Sequence, residues 1–226
     1  MSGIKKEESS RKIKDLLRIQ AMSSRDFLGG FEEPLVGKII VIHGATASGK
    51  TCLALSLATE KVKDNRNVLL LMPEGIPTNV LSMEFSLVVK KSTGQTLVSM
   101  DCDQDKVESH VNGLPNGSVV IVDGPDLIVS KKQTGITELS LFLLKITKIC
   151  SIKNHELFIL VKTRRSLVAS NGPSLPISNS LIYKASYVFK VSSENDARTG
   201  KLIIVLHSEK ARIAIKNKET RIPVVL

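Results

Sequence analysis

Three features of the sequence predict an α/β architecture, three layers deep, with a mainly parallel central sheet and antiparallel hairpin strands at the C-terminal end. Short apolar runs alternate with stretches of helical periodicity through the first two-thirds of the chain. The run Lys38-Ile39-Ile40-Val41-Ile42-His43 leads straight into a glycine-containing octet and a helical pattern. The last third changes to β-like runs separated by turn residues. Continuous apolar runs, rather than alternating ones, are what strands show when helices cover both faces of a sheet.

Residues 1 to about 22 are charged, with Ile13, Leu16 and Leu17 on one helical face behind the candidate caps Ser9 and Ser10. This predicts a short amphipathic helix, either packed at the terminus or docked on a neighbouring subunit. Residues 1–26 are therefore set apart, as a possible oligomerisation segment, from a core of 27–226. Leu28-Gly29-Gly30, Pro34 and Gly37 make a turn-rich approach to the first strand. Beyond the octet, Leu53, Ala54, Leu57, Ala58 and Val62 recur at helical spacing and should face the sheet. Val68 to Met72 is a second buried strand, closed by Pro73-Glu74-Gly75. A helix over about 78–91, a short strand from Thr96 to Met100, and the β-branched strand Val119-Val120-Ile121-Val122-Asp123 follow. Leu139, Leu143, Ile146 and Cys150 mark another helix, and Glu156 to Val161 another strand. Residues 164–180 are rich in Ser, Asn, Gly and Pro; the β-like runs Tyr187 to Val191, Lys201 to Leu206 and Arg212 to Ile215 come after them. Asn195-Asp196 and Thr199-Gly200 supply turn chemistry between the first two of these runs.

With 226 residues, 42% of them hydrophobic, the chain has material for one sizeable core. A formal charge of +10 and a pI near 9.6 point to an anionic partner such as nucleic acid, the plainer alternative being a generally basic soluble protein. Cys52, Cys102 and Cys150 are odd in number and widely spaced, which argues for reduced thiols and against a disulfide framework or a zinc site. The N-terminus lacks an apolar signal core and no run is long enough to span a bilayer, so no membrane is implied and a cytoplasmic location is expected, the host's if the chain is viral. Trp is absent and aromatics make up only 4%, so a grip on single-stranded bases would rely on backbone contacts more than on stacking.

Gly44-Ala45-Thr46-Ala47-Ser48-Gly49-Lys50-Thr51 is a complete phosphate-binding loop in the required strand-to-helix context, with Cys52 following in the helix. The chemistry explains the residue types. Glycines let backbone N–H groups close around phosphate oxygens, Lys50 reaches the outer phosphates, and Thr51 offers a hydroxyl to Mg²⁺ at the positive end of the helix. ATP and Mg²⁺ are the expected cofactors. Asp123, at the C-terminal end of a buried strand, stands where the Mg²⁺ shell needs a carboxylate; it otherwise caps the next turn. Glu74 ends a different strand, where a carboxylate orients or deprotonates an attacking water, or is simply a solvated turn residue.

These motifs, in this order, resemble those of the RecA-like ATPases, the family of bacterial RecA, archaeal RadA and the phage strand-exchange proteins. Phe27-Leu28-Gly29-Gly30 through Gly37-Lys38-Ile39 is similar to the family's approach to its phosphate loop, and Met72-Pro73-Glu74-Gly75 to its strand ending in a catalytic Glu. Val122-Asp123 resembles its Mg²⁺-associated carboxylate. Ile215-Lys216-Asn217-Lys218 resembles the lysine pair that reaches across a subunit interface to a neighbour's ATP, which implies that Lys216 and Lys218 act in trans. A lysine-rich surface turn is the alternative. The likeness covers about residues 27–222 and implies a core-only version, most like compact recombinases and annealing proteins encoded by phages.

Where RecA has a Gln sensor of the γ-phosphate, this chain has Lys162, which cannot accept a hydrogen bond from water. Arg164, Arg165 and the small polar residues up to Ile177 occupy the place of the family's DNA-binding loop, and with Lys162 they would supply charge to a phosphate backbone. The resemblance thus implies a DNA-dependent ATPase for recombination or repair that binds single-stranded DNA and assembles head to tail into a ring or filament. Two alternatives remain open at this stage: a RecA-fold nucleotide-binding scaffold or regulator with weak hydrolysis, and a small-molecule or tRNA P-loop transferase.

Overall fold

A computed structural model of the protein describes residues 35–72, 96–99, 104–130, 136–163, 177–195, 202–211 and 219–224. The described strands are β1 (Ile39–Gly44), β2 (Val68–Leu71), β3 (Thr96–Ser99), β4 (Val119–Asp123), β5 (Glu156–Lys162), β6 (Tyr187–Asn195), β7 (Leu202–Ala211) and β8 (Glu219–Val224). The helices are α1 (Lys50–Lys63), α2 (Gln104–Gly113), α3 (Pro125–Ser130), α4 (Ile136–Ile152) and α5 (Asn179–Lys184).

The strands form one sheet in the order β3-β2-β4-β5-β1-β6-β7-β8. Every pair from β3 to β6 is parallel, and the β6–β7 and β7–β8 pairs are antiparallel. β1 therefore lies inside the sheet, between β5 and β6, and described helices supply the crossovers from β1 to β2, β3 to β4, β4 to β5 and β5 to β6.

Strand periodicity of two divides the core into two layers. Ile40, Ile42, Leu70, Ile121, Phe158 and Leu160 pack on Leu53, Leu57, Ala58 and Val62 of α1. Val41, Leu69, Leu71, Val120, Val122 and Ile159 face the other way, onto Val107 and Val111 of α2 and Phe142, Leu143 and Ile146 of α4. This is the three-layer α/β fold the sequence implies.

Local differences have physical causes. The first of the expected hairpin strands, β6, pairs in parallel with β1, because α5 returns the chain before it. That helix falls partly within the stretch expected to be a loop, and Ser178 caps it by accepting the Leu181 N–H. α2 buries only Val107 and Val111, too sparse a pattern to announce a helix. β7 continues past Leu206 through the polar residues His207 to Lys210. β8 carries Pro223, which is tolerated because β8 is an edge strand. The expected elements at 1–26, 78–91 and 212–215, and the turn at 196–200, lie outside the described residues. Among the described residues no helix is long and apolar enough to cross a membrane.

At the opposite edge from the phosphate loop, the buried Glu156 carboxylate holds Lys61 Nζ at 2.7 Å and Arg66 at 3.0 Å. Arg66 also donates to the Gly117 carbonyl. The trio ties the end of α1 to the starts of β4 and β5, and so sets the height at which α1 rises from the loop.

Candidate functional site

The site begins where β1 runs out of ladder partners. Gly44 ends the strand, residues 45–49 turn, and α1 starts at Lys50. Ala47 (φ 61°) and Gly49 (φ 87°) both take the left-handed backbone conformation, which closes the loop within five residues. The Ser48 N–H donates to the Ala45 carbonyl at 3.3 Å, and Gly49 caps α1 without a side-chain hydrogen bond. The first N–H groups of α1 therefore face the loop as an anion-binding end.

Sterics dictate the two glycines. A Cβ on Gly44 would stand 2.5 Å from the Val191 carbonyl oxygen and 2.7 Å from Ser48 Oγ; one on Gly49 would stand 2.7 Å from Ile204 Cδ1. β6 and β7 thus close over the loop from the side, which the motif alone does not convey.

Lys50 curls its ammonium back into the loop, donating to the carbonyls of Gly44 (3.1 Å) and Ala45 (2.5 Å) and to Ser48 Oγ (3.2 Å). Thr51 Oγ1 donates to Asp123 Oδ2 at 2.7 Å, across 72 residues of sequence. This contact brings together the two residues assigned to the metal. A hydroxyl and a carboxylate at the start of a helix suit Mg²⁺, which takes one or two hard protein oxygens and completes its shell with phosphate and water. Among the described residues no cluster of three or more His, Cys, Asp or Glu side chains offers a full protein cage. The donor set thus fits Mg²⁺ shared with a nucleotide.

Lys162 ends β5 in register with Gly44, and its side chain is exposed. Strand alternation puts it on the face of Phe158 and Leu160, which is the α1 face that also carries Gly44 and Asp123. It therefore belongs to the carboxyl edge of the sheet, beside the phosphate loop. The next residue, Thr163, donates its N–H to the Gly44 carbonyl at 2.9 Å. Cys52 lies in the first turn of α1. Glu74 follows β2, whose last residue Leu71 pairs with Val122 beside Asp123. Glu74, Arg164, Arg165, Lys216 and Lys218 lie outside the described residues.

Sequence reasoning missed His43, which is 6% exposed and sets its Nε2 2.7 Å from Glu209 Oε2. The only signal was a lone polar residue closing an apolar run; its partner is 166 residues away. The thiol of Cys150 is buried in the α4 layer, and desolvation pushes its pKa up to about 12, so it is an inert packing group.

No protein-family model and no curated protein matches the sequence. Among the solved structures, the chain superimposes on a DnaB-like replicative helicase, described together with its interactions with primase, at a TM-score of 0.60 and 12% identity. The fold is RecA-like. The match covers 83% of this chain and 54% of the helicase chain, so the protein spans about half the length of that neighbour. At 12% identity, what the two share is the fold.

Proposed function

We propose that the protein is an ATP-dependent DNA recombination or repair protein of RecA type, a DNA-dependent ATPase that binds single-stranded DNA and assembles head to tail. The contact between Thr51 and Asp123, set beside a phosphate loop whose lysine already points inward, carries this reading. Lys50 and the α1 N–H groups bind the phosphates; Thr51 and Asp123 hold Mg²⁺, which supplies charge neutralisation when bound. Glu74 orients the attacking water. Lys216 and Lys218 complete the site of the next subunit, and Arg164 and Arg165 contact the DNA backbone, together with Lys162 if its reach extends beyond the nucleotide. The formal charge of +10 favours such a polyanionic partner.

The test is ATP hydrolysis with and without single-stranded DNA, by the parent chain and by Asp123→Asn and Glu74→Gln. Stimulation by DNA, with turnover lost on the order of a hundred-fold or more in either variant, is the expected result. Equal rates in Glu74→Gln and the parent would remove Glu74 from catalysis, weak hydrolysis by both would leave the scaffold reading in its place, and turnover that needs a small acceptor or tRNA would leave the transferase. A head-to-tail interface closes into a ring or runs on as an open filament, according to the rotation it imposes. Electron microscopy with single-stranded DNA and a non-hydrolysable ATP analogue separates the two, and particles that stay monomeric would count against both.

A further inference from the structure

His43 immediately precedes the phosphate loop but faces away from it. Its neighbours along β1, Ile40 and Ile42, belong to the α1 layer, whereas its own ring lies on the opposite side of the sheet with Val41. There its Nε2 meets Glu209 Oε2 at 2.7 Å, and its Nδ1 lies 3.5 Å from Thr163 Oγ1. An ionised carboxylate only accepts, so Nε2 carries the hydrogen of the shorter contact.

Glu209 is not adjacent to His43 in the sheet, since β6 runs between β1 and β7. The carboxylate spans it because the ladder breaks at this point. Val188 pairs with Lys210 and Phe189 with Ser208, which leaves Glu209 as the extra residue of a β-bulge. A bulge turns a side chain out of its regular direction, and here the Glu209 carboxylate reaches past β6, whose Lys190 is in register with His43, to the histidine. The end of β7 has its own anchor as well: Lys210 donates to the carbonyls of Ile182 and Tyr183 at 2.7 and 2.8 Å. The Glu209 contact is therefore an addition to a strand end that is already held.

Three segments of the chain meet at this histidine. The phosphate loop begins with the residue after it. Thr163, whose N–H shares the Gly44 carbonyl with Lys50, leads into Arg164 and Arg165. Glu209 precedes by a few residues the connection that contains Lys216 and Lys218. We propose that His43 and Glu209 form a positioning pair that ties the roots of these two basic segments to the phosphate-loop strand, so that turnover depends on a hydrogen-bonded contact outside the phosphate loop. This inference rests on the ATPase reading above.

The experiment compares Glu209→Ala, Glu209→Gln and the double variant Lys216→Ala/Lys218→Ala in the full chain, by steady-state ATP hydrolysis, titration with a fluorescent ATP analogue and thermal unfolding. Glu209→Ala should lower kcat on the order of ten- to a hundred-fold, as a displaced catalytic group does. Analogue affinity and melting temperature should stay near the parent's. Glu209→Gln, which keeps an acceptor oxygen, should restore most of the rate. Adding Glu209→Ala to the lysine double variant should cost little more, because groups acting as one unit are not additive. Parental kcat in Glu209→Ala beside an impaired lysine variant overturns the pairing alone. Full turnover in the lysine variant overturns the trans-acting lysines, and with them the role assigned to the pair. A rate loss that tracks the melting temperature and is not rescued by Gln reduces the contact to a fold-stabilising one and overturns the proposal as well.

Discussion

Replacing Gly44 and Gly49 by alanine, one at a time, tests how the loop is built, because the structure assigns the two glycines different reasons. At Gly44 the obstruction is backbone: the Val191 carbonyl of the adjacent strand would have to recede by about 0.9 Å from its 2.5 Å separation to reach ordinary contact, against the β1–β6 ladder. Overpacking of this kind costs about 1–3 kcal/mol or more, and no side-chain change can relieve it. At Gly49 the backbone sits at φ 87°, and the left-handed conformation costs an alanine about 1–2 kcal/mol. The additional clash is with Ile204, at 2.7 Å from Cδ1 and 2.9 Å from Cγ1, a side chain only 2% exposed. Since 1 kcal/mol moves the melting temperature of a domain this size by about 2–4 °C, Gly44→Ala should melt roughly 5–10 °C below the parent. Gly49→Ala should fall by a similar amount, and Ile204→Ala should return only the steric part, leaving the φ penalty. The assay is thermal unfolding paired with titration by a fluorescent ATP analogue, whose affinity should drop in both variants. A Gly44→Ala protein that melts and binds like the parent would refute the conclusion that β6 closes on the loop. Full rescue of Gly49→Ala by Ile204→Ala would refute the backbone part of the argument.

Glu156→Ala should destabilise the fold by about 3–5 kcal/mol in denaturant titrations, because it leaves the buried Lys61 without its carboxylate and takes one of Arg66's partners. His155 is buried, its Nδ1 accepts the Ser118 N–H at 3.1 Å, and desolvation lowers its pKa. The unfolded chain therefore takes up this proton first, so the stability it contributes is whole above about pH 6.5 and is lost as pH falls through the lower folded-state value. Denaturation midpoints followed from about pH 7.5 to about pH 5 should fall less steeply for His155→Asn, whose amide oxygen keeps the Ser118 contact. Lys162→Ala should weaken binding of the ATP analogue more than that of an ADP analogue if the residue serves the nucleotide edge; loss of DNA affinity alone would assign it to the DNA instead.

Much of the fold was legible because burial on both faces of a parallel sheet leaves continuous β-branched runs, as in Ile39-Ile40-Val41-Ile42 and Val119-Val120-Ile121-Val122. The phosphate loop was equally legible, since its chemistry is local and needs particular residue types at particular positions. The polar half of β7, from His207 to Lys210, was not, because ladder hydrogen bonds to neighbouring strands hold it rather than an apolar face, and the edge strand β8 is defined by its pairing with β7. The parallel pairing of β6 with β1 depended on where α5 delivers the chain.

The amino-acid order alone thus determined that a β-strand, a glycine-bounded anion cradle and a helix follow one another, and that a later β-branched strand ends in the carboxylate of Asp123. Tertiary structure alone decided that Asp123 is the carboxylate reaching Thr51, that Val191 and Ile204 are what forbid side chains at Gly44 and Gly49, and that Glu209 turns onto His43. The physical reason is distance along the chain. Propensity and periodicity act over a few residues, whereas these contacts join groups 72 to 166 residues apart and exist only once the sheet has chosen its strand order.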